Sequence, residues 1–92
     1  MRIALDYDET YTRDPAFWDA FIDFAKRSGH EVVCVTLRYE SERPPDIPCP
    51  CICTGRKAKR NFTKDKPIDV WIDDDPWHVY YPASDYLEGQ SS

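Results

Sequence analysis

No stretch of this 92-residue chain approaches the roughly 18 consecutive apolar residues of a membrane span. The N-terminus also lacks the apolar core of about 7–15 residues that a secretion signal needs, because Asp6 follows Leu5 directly. A cytoplasmic protein with no membrane partner is the expectation. Excess positive charge is missing too: 12 Lys and Arg against 17 Asp and Glu leave a net charge of −5. That balance argues against general nucleic-acid affinity, which needs a basic face over the phosphates. It still allows a phosphorylated molecule held by a metal and one or two lysines. Internal repeats and low-complexity tracts are absent.

Cysteine is present, but not at the spacing of a disulfide framework. Of the four, three crowd into "CPCIC" at Cys49, Cys51 and Cys53, with Cys34 apart. Free thiols in a reducing compartment are the better reading. Zinc is the alternative, since the three would share one strand face. Structural zinc more often pairs two hooks with two-residue gaps.

What the chain does have is 41% hydrophobic and 14% aromatic residues, enough for the core of one small domain. The expected unit is a single domain over 1–92, with its core over about 1–82 and a frayed tail over about 83–92. Arg2 to Leu5 reads as a buried strand leading into Asp6. After a polar loop, Asp14 suits an N-cap with Pro15 at the first helical position. Phe17, Trp18, Phe21, Ile22 and Ala25 recur at helical spacing as a core face, and Gly29 closes the helix after Lys26 and Arg27. "EVVCVT", residues 31 to 36, predicts a second buried strand, with His30 before it facing solvent. Residues 37 to 50 carry four prolines and read as surface loop. "CICT" predicts a short third strand, Gly55 a turn, and 56–64 a basic helix whose Arg56, Arg60, Lys64 and Lys66 form a solvated face. "IDVWID", residues 68 to 73, predicts a fourth strand, and Trp77, Val79 and Tyr80 a packed helical turn. This order implies crossover connections, hence an α/β domain with a mostly parallel sheet of about four strands.

In an open parallel sheet, ligands sit beyond the carboxyl ends of the strands. The first strand ends at Asp6, the second at Thr36, and the fourth at Asp73 and Asp74. Carboxylates converging there repel unless a hard divalent cation joins them, and oxygen ligands favour magnesium. Asp6 and Asp8 would share a face if the strand ran on, with Thr10 steadying the loop beyond.

"LDYDETYT", "VVCVT", a lysine in "GRKAKR", and "DVWIDDD" resemble, in order, the four motifs of the haloacid dehalogenase-like (HAD) phosphohydrolases. The resemblance spans residues 3 to 75. It implies a three-layer Rossmann-like domain with the first strand between the second and fourth. It also implies Mg²⁺-dependent hydrolysis of a phosphomonoester through an aspartyl-phosphate. Asp6 would be the nucleophile, and Asp8 the general acid and base, a double duty suited by a raised pKa. Thr36 would bind a phosphoryl oxygen, and the motif lysine would offset charge. Asp6, Asp73, Asp74 and the backbone carbonyl of Asp8 would hold the metal. Lys57 and Lys59 both fit the lysine position, and Lys59 is favoured because it leaves a full turn after Gly55.

Each of these residues has a plainer reading. The Asp6–Asp8 pair could be a solvated strand end, "IDDDP" a capping turn served by Asp75, and Thr36 a simple β-former. His78 is weighed as a substrate contact. Arg38, with Tyr39 and Arg43, lies where a substrate-sorting loop would be. The loops are too short for the family's cap domain, so an open site is expected. Its substrate could be a small molecule, a nucleotide, a nucleic-acid end or a phosphoprotein, with an oligomer able to close the site. The rival expectation is a catalytically weak or inactive protein of the same fold that binds a phosphorylated ligand or partner as a regulator.

Overall fold

The computed structural model describes residues 1–83; the frayed tail expected over about 83–92 lies outside them, apart from residue 83. Four strands form one sheet: β1 (Arg2–Leu5), β2 (Glu31–Thr36), β3 (Cys51–Cys53) and β4 (Val70–Ile72). Their order is β3-β2-β1-β4 and every pairing is parallel. The expected α/β class and the central first strand are both present. Leu5 pairs with Cys34 on one side and Ile72 on the other, so Asp6 leaves the sheet between the ends of β2 and β4.

Helix α1 (Pro15–Arg27) starts as its sequence dictates, with Asp14 accepting from Phe17 N at 3.2 Å and Pro15 following. It covers one sheet face, where Ile3, Leu5, Tyr7, Tyr11, Ile22, Ala25, Val32 and Cys34 form the larger core cluster. Trp18 and Phe21 pack against that cluster, but Phe17, expected in the core, is 57% exposed. Residues 18, 21, 22 and 25 complete one stripe. A helix turns about 100° per residue, which carries Phe17 to its edge, where it meets Trp18 edge-on. On the other face, Ala4, Val33 and Val35 pack with Ile52, Ile68 and Trp71. This layer is thin: a 3-10 turn (Lys59–Phe62) and the one-turn helix α2 (Trp77–Tyr80), of which only Val79 is buried. Trp77 and Tyr80, expected to pack, are mostly exposed.

The basic helix expected over 56–64 does not form beyond that 3-10 turn. Gly55 and Arg56 both take positive φ, 62° and 72°. Arg56 N donates to Leu37 O at 2.8 Å, and the Thr54 hydroxyl donates to Lys57 O at 2.8 Å, so the groups that would open a helix are already bonded. Arg56 is only partly exposed, donating to Leu37 O and lying over the Tyr39 ring, rather than belonging to a solvated face. β4 is shorter than expected: Asp69 N still donates to Arg2 O at 2.8 Å, but Arg2 N donates to the Asp69 carboxylate at 2.7 Å rather than to a backbone carbonyl of β4. His30 is half-buried, its Nδ1 2.8 Å from the N-terminal amine. No helix among the described residues is long and apolar enough to cross a membrane.

Candidate active site

Beyond β1, the chain makes one more ladder bond, Asp6 N to Ile72 O at 2.9 Å, then turns. That bond extends the β1–β4 pairing by one residue and leaves Asp6 at the carboxyl edge of the sheet, lining a cleft with residues from the ends of β2 and β4. The turn of two left-handed residues at 55–56 precedes Lys59, which lines the same cleft and is buried, whereas Lys57 is exposed. Lys59 Nζ donates to Asp6 Oδ1 at 2.8 Å and also, closely, to Asp73 Oδ2. The three side chains are 2%, 9% and 4% exposed for Lys59, Asp6 and Asp73. Thr10 closes the group from the other side. Its hydroxyl oxygen accepts from Asp74 N at 3.2 Å and lies 3.1 Å from Asp6 Oδ2 and 3.4 Å from Asp74 Oδ1. With one proton to give, it serves the nearer Asp6 best.

Carboxylate oxygens of Asp6, Asp73 and Asp74 all come within 4.8 Å of one another, the one such group of three among the described residues. Three carboxylates face one ammonium, an excess of two negative charges, with the Asp6 and Asp73 side chains largely dry and Asp74 exposed. Burial pushes the Asp6 carboxyl up to about 7 against the pull of Lys59, helped by a hydrogen bond with Asp74 and the charge of Asp73. Burial works against the Lys59 charge as well, but Asp6 and Asp73 outweigh it and hold the ammonium above its usual range. The centre therefore either keeps a proton on Asp6 or takes up a cation. An all-oxygen donor set fits a hard divalent ion.

Asp8 is placed differently. Its carboxylate is gripped by Arg38, Nε to Oδ2 at 2.9 Å and Nη2 to Oδ1 at 2.8 Å, and is about half exposed. Arg38 is fixed in turn: Nη1 donates to Glu42 O at 3.0 Å, and the guanidinium lies 4.9 Å from the centre of the Tyr7 ring. The Asp8 carboxylate holds that guanidinium firmly charged. Asp8 still lines the same cleft of about 180 Å³ as Asp6, Thr36, Lys59, Asp73 and Asp74, but its carboxylate is outside the metal-capable group. Thr36 is buried, with its hydroxyl accepting from Arg38 N at 3.3 Å. His78 borders the cleft and is tethered to Tyr81 O. Asp75 does not cap α2 with its side chain; its carbonyl accepts from His78 N.

Three features were not readable in the sequence: the second bond of Lys59 to Asp73, the bridging of Asp6 and Asp74 by Thr10, and the Arg38–Asp8 fork. The last had one signal, an arginine two residues past the strand-ending Thr36. All four cysteines are free thiols. Comparison with protein-family models, curated proteins and solved structures finds no match to this chain.

Proposed function

We propose that the chain is a Mg²⁺-dependent phosphomonoester hydrolase of the haloacid dehalogenase-like kind, with Asp6 as its nucleophile. The observation that carries this reading is the buried Asp6 bonded to Lys59 and grouped with Asp73 and Asp74 from another strand. A cleft of about 180 Å³ suits a phosphoryl group rather than a whole ligand, which leaves the rest of the ester outside.

In the first step an Asp6 oxygen attacks phosphorus, the bond to the ester oxygen breaks, and Asp8 gives that oxygen a proton. In the second, water attacks the phosphorus of the aspartyl-phosphate, Asp8 takes the water's proton, and the Asp6 carboxylate is released. Thr36 donates its hydroxyl to a phosphoryl oxygen, while Lys59 keeps a positive charge beside the nucleophile. A magnesium ion held by Asp6, Asp73 and Asp74 would offset charge on the transferring oxygens. Arg38 reads the part of the substrate that projects from the cleft, and Asp8 is free to act once Arg38 turns to that group.

The fork that holds Asp8 also favours a second reading, a protein that binds a phosphorylated ligand without turning it over. One assay separates them. The purified protein is given an aryl phosphate with magnesium, with chelator, and as Asp6→Asn. Hydrolysis lost under the last two conditions supports the enzyme. Hydrolysis that survives both overturns it, and phosphate-analogue binding without hydrolysis of a broad panel of phosphate esters leaves the regulator.

A further inference from the structure

The four cysteines take no part in the proposed reaction, yet they gather at one corner of the sheet. Cys34 on β2 and Cys51 on β3 are direct register partners. Cys34 is fully buried, whereas Cys51 is half-buried and within reach of solvent. As register partners they present their side chains on one sheet face, and Cys53, two residues on along β3, shares that face. Arg43 braces the corner, donating from Nη1 to Cys51 O at 2.7 Å while its other edge holds Glu40.

We propose that Cys34 and Cys51 are a redox-active dithiol, with Cys51 the residue oxidised by a hydroperoxide and Cys34 the residue that resolves it. Partners on adjacent strands lie about 4.8 Å apart, inside the roughly 4.4–6.8 Å between α-carbons that a disulfide spans. Cys51 and Cys53 are separated by about 6.6 Å along one strand, at the outer edge of that range. Cys49 lies two residues before Cys51 and has no such partner in the ladder. The environments divide the labour. The Cys34 hydrogen bond favours a thiolate at Cys51, and the Arg43 charge adds to it. Cys34 itself is held protonated by that same bond and by burial.

The steps balance. The Cys51 sulfur attacks one peroxide oxygen, the O–O bond breaks, and an alcohol or water leaves, so Cys51 is oxidised to a sulfenic acid. The Cys34 sulfur then attacks the Cys51 sulfur, the S–O bond breaks, and hydroxide leaves as water with the Cys34 proton. Two thiols and a hydroperoxide become a disulfide, an alcohol or water, and one further water. A small thiol reverses the change. The new bond closes the segment that carries Thr36 and Arg38.

The test treats the whole folded protein with hydrogen peroxide, blocks remaining thiols, and maps the products by tandem mass spectrometry. The expected product links Cys34 to Cys51, with that peptide pair about two mass units lighter than its two reduced peptides, leaves Cys49 and Cys53 alkylated, and reverts with dithiothreitol. Cys53→Ser should keep the link and Cys51→Ser should abolish it. A link between Cys51 and Cys53, over-oxidised Cys51 beside a free Cys34, or four unchanged thiols each overturns the proposal. Wild-type protein alone yields any of these outcomes, so a poorly folding variant does not shield the idea. None of them depends on phosphatase activity.

Discussion

The two carboxylates of "DYD" meet opposite surroundings. Asp6 sits on the floor of the cleft, 9% exposed and bonded to a lysine that is itself 2% exposed. Asp8 sits on the rim, 52% exposed, with its arginine 32% exposed. Both are ion pairs between distant parts of the chain, but they differ in kind. On the floor, the ladder bond to Ile72 and the turn at 55–56 bring charges into a dry place where each needs the others. On the rim, water can replace either partner, so the fork can open at little cost. For the proposed hydrolase, a fixed floor and a yielding rim would hold the phosphoryl group in one geometry and still accept varied leaving groups.

The sharpest way to break this contrast is Asp6→Asn. Turnover of an aryl phosphate should fall by about 10³-fold or more, and a variant retaining a tenth of the activity would deny Asp6 its role. Next is Lys59→Met, which leaves Asp6 and Asp73 buried without their cation. Urea unfolding in the absence of metal should show a loss of about 3–5 kcal/mol; a loss below one would mean the floor is wetter than its burial implies.

The response to pH follows from the same burial. Unfolded Asp6 loses its proton near 3.8, whereas folded Asp6 keeps it to about 7. The contribution of this group is therefore complete below about pH 4 and lost as pH climbs toward 7 in metal-free protein. Magnesium competes with that proton, so it should raise the melting temperature more at pH 8 than at pH 5. An equal rise at both would separate the ion from Asp6. The smallest effect belongs to the rim: Arg38→Ala should cost under about 1 kcal/mol of stability, while changing KM among esters with different leaving groups. A stability loss as large as that of Lys59→Met would erase the distinction between floor and rim.

The sequence carried the strands, α1 and the convergence of strand ends, because these depend on local pattern and on chain order. Residues 31–36 are apolar and β-branched almost throughout, and Asp14 with Pro15 can hardly do other than start a helix. The segment 56–64 misled because its lysines and arginines favour helix locally, while the bonds that prevent one come from Leu37 and Thr54. The exposure of Phe17 follows from a shift of one position around α1. The orientation of Asp8 depends on Arg38, 30 residues away, and nothing in "DYDET" announces that partner.

At the centre of the account is a single hard-cation site formed by Asp6, Asp73 and Asp74. Calorimetric titration with magnesium, on wild type and on the double substitution Asp73→Asn with Asp74→Asn, tests it most directly. One ion bound by the wild type and none by the variant is the predicted result. Equal binding by both proteins, or no binding by either, would contradict it.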